Sequence, residues 1–285
     1  MSDRDNKLHF CQSCVRLDYT QSLTGLEVPD PMVIRWNVTI PELTGQQPRT
    51  AYVYLPTCYD SQPERRFPVL YMFDGHNVFF DSDATYGKCW GMKEYLDYTD
   101  TPLIVAAVEC NHGANNERLS EYSPYDFRNP RFGKVKAAGR QTMEWFVNSF
   151  KPEIDRNYRT LPDRRHTFIA GSSMGGLMSL YAVTEYNRVF SRAAALSPSL
   201  WVSPSGLAQT IAEADITAGS VVYMDYGARE LSHHEAMRAE FGKVANQLLM
   251  RRILLTTRIV PGGEHCEASW ERQLPFCIPA LMYGL

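Results

Sequence analysis

The chain has 285 residues, 44% of them hydrophobic and 21% charged, with a formal net charge of -3. That length suits one large α/β domain, and the absence of any basic run argues against a nucleic-acid partner. No stretch of about 18 apolar residues occurs, so no transmembrane helix is expected, and the polar start Met-Ser-Asp-Arg-Asp-Asn-Lys lacks the apolar core of a secretory signal. The seven cysteines, at 11, 14, 58, 89, 110, 266 and 277, are scattered and odd in number. Such a pattern predicts reduced thiols and a cytoplasmic location.

Residues 1–30 read as a polar, irregular N-terminal extension, and 31–285 as the domain. Cys11-Gln-Ser-Cys14 is a C-x-x-C pair, but no second pair with zinc-like spacing follows it. It is read as two ordinary thiols, and no metal is expected. Met32–Ile40 alternates as a first strand and Thr50–Leu55 as a second, suggesting an antiparallel start. Phe67–Phe73 is almost wholly apolar, as befits a central strand buried on both faces.

Asp74-Gly75-His76-Asn77 follows directly, at the strand end where open α/β folds bind ligands. The backbone N–H of His76 is therefore a candidate donor to an oxyanion. Gly87–Leu96 suggests a short helix with Trp90 at its start, and Trp90 is a candidate wall of a substrate pocket. Leu103–Val108 is another buried strand. Glu109–Phe132 reads as one long loop, from which Arg118, Tyr122 and Tyr125 are candidate substrate contacts. Gly139–Tyr158 carries Met143, Phe146, Val147 and Phe150 on one helical face.

Thr167–Ala170 is a short strand-like run, followed by Gly171-Ser172-Ser173-Met174-Gly175 and then by leucines at helical spacing. Gly-x-Ser-x-Gly between a strand and a helix is the context of a nucleophile elbow, with Ser173 as the nucleophile. Ser172 sits at the x position and is expected to point away from the cleft. The Met174 N–H, opening the helix, is a second candidate oxyanion donor. Ala193–Leu196, Ser220–Asp225 and Leu254–Val260 are further strands. Helices are expected over 234–250 and roughly 266–283. The loops Ser197–Trp201, Tyr226–Glu230 and Pro261–His265 follow those strands. Trp201 and Tyr226 are further candidate substrate contacts, suited to stacking on a flat or sugar-bearing ester. The alternation of strands and helices predicts an α/β fold with a mainly parallel, doubly wound sheet.

A serine hydroxyl needs a base, and the base needs a partner that fixes its tautomer. Ser173, Glu230 and His265 stand in the order serine, acid, histidine that this fold uses. Asp225 is the rival acid, but it reads as the last residue of its strand, with a structural role in the Tyr226–Arg229 turn. His233 and His234 sit at a helix start, and His9, His112 and His166 do not fit the order.

Four stretches carry a resemblance: Tyr71-Met-Phe-Asp-Gly-His-Asn-Val-Phe79, Gly171-Ser-Ser-Met-Gly-Gly176, Asp225-Tyr-Gly-Ala-Arg-Glu230 and Pro261-Gly-Gly-Glu-His-Cys-Glu-Ala-Ser-Trp270. They resemble the esterase family of α/β-hydrolases that holds enterochelin esterases, feruloyl esterases, esterase D and the antigen 85 mycolyltransferases. The resemblance implies an α/β-hydrolase fold, Ser173 as nucleophile, Glu230 as acid, His265 as base, and oxyanion donors from His76 and Met174. It implies a serine carboxylesterase with no cofactor, acting on a small-molecule ester through an acyl-enzyme. An acylated sugar, an aromatic acid ester and a siderophore-type lactone all fit as substrate. Acyl transfer to an alcohol by the same residues, or a silent hydrolase fold used for binding, are the alternatives.

Overall fold

The structure is a computed structural model, and it describes residues 33–131, 133–232 and 235–285. The N-terminal extension with Cys11 and Cys14, and the pair His233 and His234, lie outside the described residues. Among the described residues, ten strands run in chain order: β1 (Val33–Thr39), β2 (Pro48–Tyr54), β3 (Val69–Met72), β4 (Ile104–Val108), β5 (Phe127–Asn129), β6 (Gly133–Val135), β7 (Thr167–Ser172), β8 (Arg192–Leu196), β9 (Val221–Gly227) and β10 (Leu254–Val260). Among the described residues, eight of them form one sheet in the order β1-β2-β4-β3-β7-β8-β9-β10. β1 and β2 pair antiparallel, as does β2 with β4; every later pairing in this sheet is parallel. This is the mainly parallel sheet with an antiparallel start that the sequence predicts, in the α/β-hydrolase fold.

Parallel strands covered on both faces need apolar residues at consecutive positions. β3 (Val-Leu-Tyr-Met) and β4 (Ile-Val-Ala-Ala-Val) supply them and are buried throughout. Alternate side chains enter different cores. Tyr71 and Phe73 join Phe146, Phe150 and Leu177 on one face, while Leu70 and Met72 join Leu96, Trp270 and Leu281 on the other. β10 lies at the sheet edge, and its exposed Leu254, Thr256 and Thr257 fit a strand with only one neighbour.

Several elements depart from expectation. The helix expected over 87–96 starts only at Met92, after Gly91 in a left-handed conformation (φ 60°). The supposed loop 109–132 contains a helical turn, Arg118–Glu121, and β5, which pairs with β6 in a hairpin. Pro204–Glu213 is an additional helix, packing Leu207 and Ile211 inward. The C-terminal helix is two, Glu267–Glu271 and Leu274–Met282. Pro275, which has no N–H, is well placed in the first turn of the second.

Candidate active site

β7 delivers the chain to Ser173, whose φ of 58° and ψ of -118° are rarely adopted by residues with a side chain. Crowding makes the glycines around it necessary. A Cβ on Gly171 would lie 2.7 Å from the Gly175 backbone, and one on Gly176 would lie 3.0 Å from the Leu196 carbonyl oxygen. The neighbouring loop clamps the serine from both sides: the Ser173 N–H donates to the Leu196 carbonyl at 2.9 Å, and its own carbonyl accepts from the Ser199 N–H at 2.9 Å. The helix Met174–Glu185 begins at the next residue. The Met174 N–H is thus at a first helical position, where the helix offers no acceptor.

The loops after β9 and β10 meet backbone to backbone. A Cβ on Gly227 would fall 2.4 Å from the Gly263 carbonyl oxygen, so glycine alone permits this approach. The Arg229 N–H donates to that same oxygen at 3.1 Å. The contact brings His265 over the elbow: its Nε2 lies 3.0 Å from Ser173 Oγ and its Nδ1 lies 2.6 Å from Glu230 Oε2. The imidazole stands edge-on to Trp270, ring centres 5.1 Å apart.

Glu230 was expected in a loop. β9 instead runs on through Gly227, and Glu230 sits on the short helix Ala228–Ser232. Its Oε1 accepts from the Ser197 hydroxyl at 2.7 Å and the Gly227 N–H at 3.0 Å. The Trp270 indole N–H in turn donates to Ser197 Oγ at 3.1 Å. Sequence reasoning missed Ser197, Ser199 and Trp270; the signal was Ser197-Pro-Ser199, in a loop at the same sheet edge as the elbow.

Asp225 does not reach the histidine. It is 1% exposed, and its oxygens accept from the Ser197 N–H at 3.3 Å and the Tyr223 hydroxyl at 2.8 Å. These are not the Tyr226–Arg229 donors anticipated for it. Burial pushes its pKa up to about 7, against the pull of those two donors.

The turn after β3 is fixed just as firmly. Asp74 adopts φ 55° and precedes the single 3₁₀ turn Gly75–Asn77. Arg118 grips its carboxylate with two bonds, Nε at 2.6 Å and one terminal nitrogen at 2.7 Å. Burial opposes the charge on Asp74, but the guanidinium outweighs it and holds the carboxyl below its ordinary pKa. The Asp74 N–H donates to the Tyr122 hydroxyl at 3.2 Å. Tyr122 is thereby a support of the turn and wholly buried, rather than a substrate contact. Gly75 lies against β4, where a Cβ would come within 2.8 Å of the Val108 backbone. The His76 N–H opens the 3₁₀ turn and has no acceptor within it. Its imidazole is buried, which lowers its pKa; Nε2 lies 3.0 Å from Thr85 Oγ1.

A cleft of about 560 Å³ opens over Ser173 and His265, with Tyr86, Lys88, His112, Arg118 and Glu267 in its walls. Ser172, expected to point away, contributes to the wall as well. Of the expected substrate contacts only Arg118 lines it, and the remaining aromatics do other work. Trp90 is 3% exposed and packs on Trp270 in the core. Tyr125 bonds Thr210 at 2.8 Å and ties its loop to the helix Pro204–Glu213. Trp201 packs on Phe127 of the hairpin. Tyr226 is a buried strand residue whose hydroxyl donates to the Pro198 carbonyl. For Trp90 and Tyr226, burial of a large aromatic surface outweighs facing a water-filled cleft, so their sequence positions near the sheet edge misled.

The chain matches, over residues 43–278, the family model described as Putative esterase. It is 24% identical over 199 residues to the uncharacterized protein YbbA of Bacillus subtilis (strain 168), covering 69% of this chain and 74% of that protein. It is 32% identical over 145 residues to an endo-1,4-beta-xylanase/feruloyl esterase of Xylanibacter ruminicola, covering 48% of this chain but 17% of that longer protein. In fold it is similar to an IroE-like serine hydrolase from Shewanella oneidensis, with a TM-score of 0.66 at 19% identity over 87% of this chain and 78% of that one.

Proposed function

Because this chain belongs to the Putative esterase family, whose model spans residues 43–278, and is a carboxylic ester hydrolase, we propose that it cleaves its ester through an acyl-enzyme on Ser173. The observation that carries the reading is the unbroken line of hydrogen bonds from Ser173 Oγ through His265 to Glu230. His265 Nε2 takes the proton of Ser173 as its oxygen attacks the ester carbonyl, and Glu230 stabilises the imidazolium that forms. The N–H groups of His76 and Met174 donate to the oxyanion. The imidazolium then protonates the departing alcohol, and a water activated by the same histidine releases the acid. Among the described residues no helix is long and apolar enough to cross a membrane, and no disulfide joins the described cysteines. The cytoplasmic location rests on the scattered, odd-numbered cysteines of the sequence, and the small-molecule ester on the family.

We favour an ester of an aromatic acid over an acylated sugar or a siderophore-type lactone. The feruloyl esterase named in the relative at 32% identity supports this choice; the cleft's size suits a small-molecule site of any of the three kinds. Initial rates on methyl ferulate, p-nitrophenyl acetate, acetylated xylose and a catecholate trilactone test it. The highest kcat/KM is expected for the ferulate, and a clear preference for either of the last two would move the substrate class.

Arg118 is expected to act through Asp74, holding the turn that presents the His76 N–H. Arg118→Lys removes the bidentate grip while keeping the charge. Losing an oxyanion donor outright costs about 10²–10³ in turnover, so kcat should fall by about tenfold or more with KM little changed. An unchanged kcat in the folded variant would show that the turn does not depend on this pair.

A further inference from the structure

We propose that His76, Cys110 and His112 form a site for a thiophilic divalent cation, zinc foremost, in the wall of the cleft. Their ligand atoms all lie within 4.8 Å of one another. Zinc holds nitrogen at about 2.0–2.1 Å and thiolate at about 2.3 Å, so tetrahedral ligand atoms sit about 3.5 Å apart. The side chains need to close by about 1 Å or little more to reach that spacing. Two of the three come from the loop after β4, and the third from the turn after β3.

A second observation points to the same ligand. His76 is 4% exposed, and its Nδ1 is buried with no hydrogen-bond partner. With the proton on Nε2, that nitrogen donates to Thr85 Oγ1 and leaves the Nδ1 lone pair unused. A metal-bound histidine almost always donates its other N–H to an oxygen in this way. The rings of His76 and His112 meet edge-to-face, with centres 4.6 Å apart. Cys110 is buried beside them, close to the Asp74 carboxylate. On ligation the thiol gives its proton to solvent. His112 is exposed and borders the cleft, which supplies a route of entry. Three protein ligands leave a fourth position for water. Hydrolysis by Ser173 needs no such ion; the ion would instead pin the turn that carries the His76 N–H to the loop after β4.

The test is a zinc titration of the full chain against a chromophoric chelator, with Cys11→Ser and Cys14→Ser introduced so that the N-terminal pair contributes nothing. One zinc per chain is expected, with affinity reduced about tenfold or more by His112→Ala and by Cys110→Ser. Cobalt(II) in place of zinc should give an intense thiolate-to-metal absorption that Cys110→Ser abolishes. His112 is exposed, so His112→Ala keeps the test decisive should Cys110→Ser not fold. Absence of zinc binding, affinity unchanged in His112→Ala, or cobalt bound without thiolate absorption would each overturn the site.

Discussion

Ser173→Ala should lower ester turnover by about 10⁴ to 10⁶ while leaving the fold intact. The oxygen removed is the only atom of Ser173 that His265 contacts by hydrogen bond, at 3.0 Å. Its other hydroxyl neighbour, Ser199 Oγ, is 3.4 Å away, and the base His265 bonds Ser173 instead, so Ser199 is not expected to stand in. The backbone makes a further distinction possible. At φ 58° an alanine is as strained as a serine, so Ser173→Ala should unfold at nearly the wild-type temperature. Ser173→Gly relieves the strain and should be more stable, by on the order of 1 kcal/mol, although equally inactive. A wild-type enzyme labelled by a fluorophosphonate, with labelling lost in both variants, would complete the assignment. Retention of more than about a hundredth of wild-type turnover in Ser173→Ala would place the nucleophile elsewhere.

What could be read from the sequence is what local pattern determines. The buried strands were legible because Val69–Met72 and Ile104–Val108 are unbroken apolar runs of strand length, which a doubly covered parallel sheet accommodates. The elbow was legible because its Gly-x-Ser-x-Gly pattern is local, with Gly171 answering to Gly175 four residues on. The supports of the site were not legible, because they are long-range. Ser197 meets Glu230 across 33 positions, and Arg118 meets Asp74 across 44. Neither residue type announces such a partner. The hairpin of β5 and β6 hid in a polar stretch whose three-residue strands are too short to show periodicity. The helix Pro204–Glu213 carries only two buried residues, Leu207 and Ile211, too few for a visible apolar stripe.

Glu230→Gln and Asp225→Asn should separate the two acidic residues in opposite ways. Glu230 uses both oxygens: Oε1 accepts from the Ser197 hydroxyl and the Gly227 N–H, and Oε2 faces His265 Nδ1 at 2.6 Å. In a glutamine the amide oxygen must stay on the Gly227 side to keep accepting that N–H. The NH₂ then faces His265, and the imidazole can meet it only with a bare Nδ1. The ring proton moves to Nε2, toward Ser173, and the base cannot take the serine's proton. A carboxylate-to-amide change of this kind in a serine triad costs about 10⁴ in turnover, and substrate binding should change little.

Asp225→Asn leaves both bonds of the triad in place, because Asp225 holds the Ser197 N–H and bonds neither Glu230 nor His265. Its wild-type carboxyl holds a proton, up to a pH of about 7, that the unfolded chain has already released. The folded state therefore binds the extra proton between the unfolded pKa, about 4, and the folded one. Wild-type stability should fall as pH rises through that window, by on the order of 4 kcal/mol in all, and level off above it. Asp225→Asn should keep turnover within a few fold, flatten that decline and be the more stable form at pH 8. Denaturant titrations from pH 5 to pH 8, run beside kcat for both variants, check the pair. A large turnover loss in Asp225→Asn with near-normal turnover in Glu230→Gln would make Asp225 the acid, and would require the loops after β9 and β10 to pack differently during catalysis.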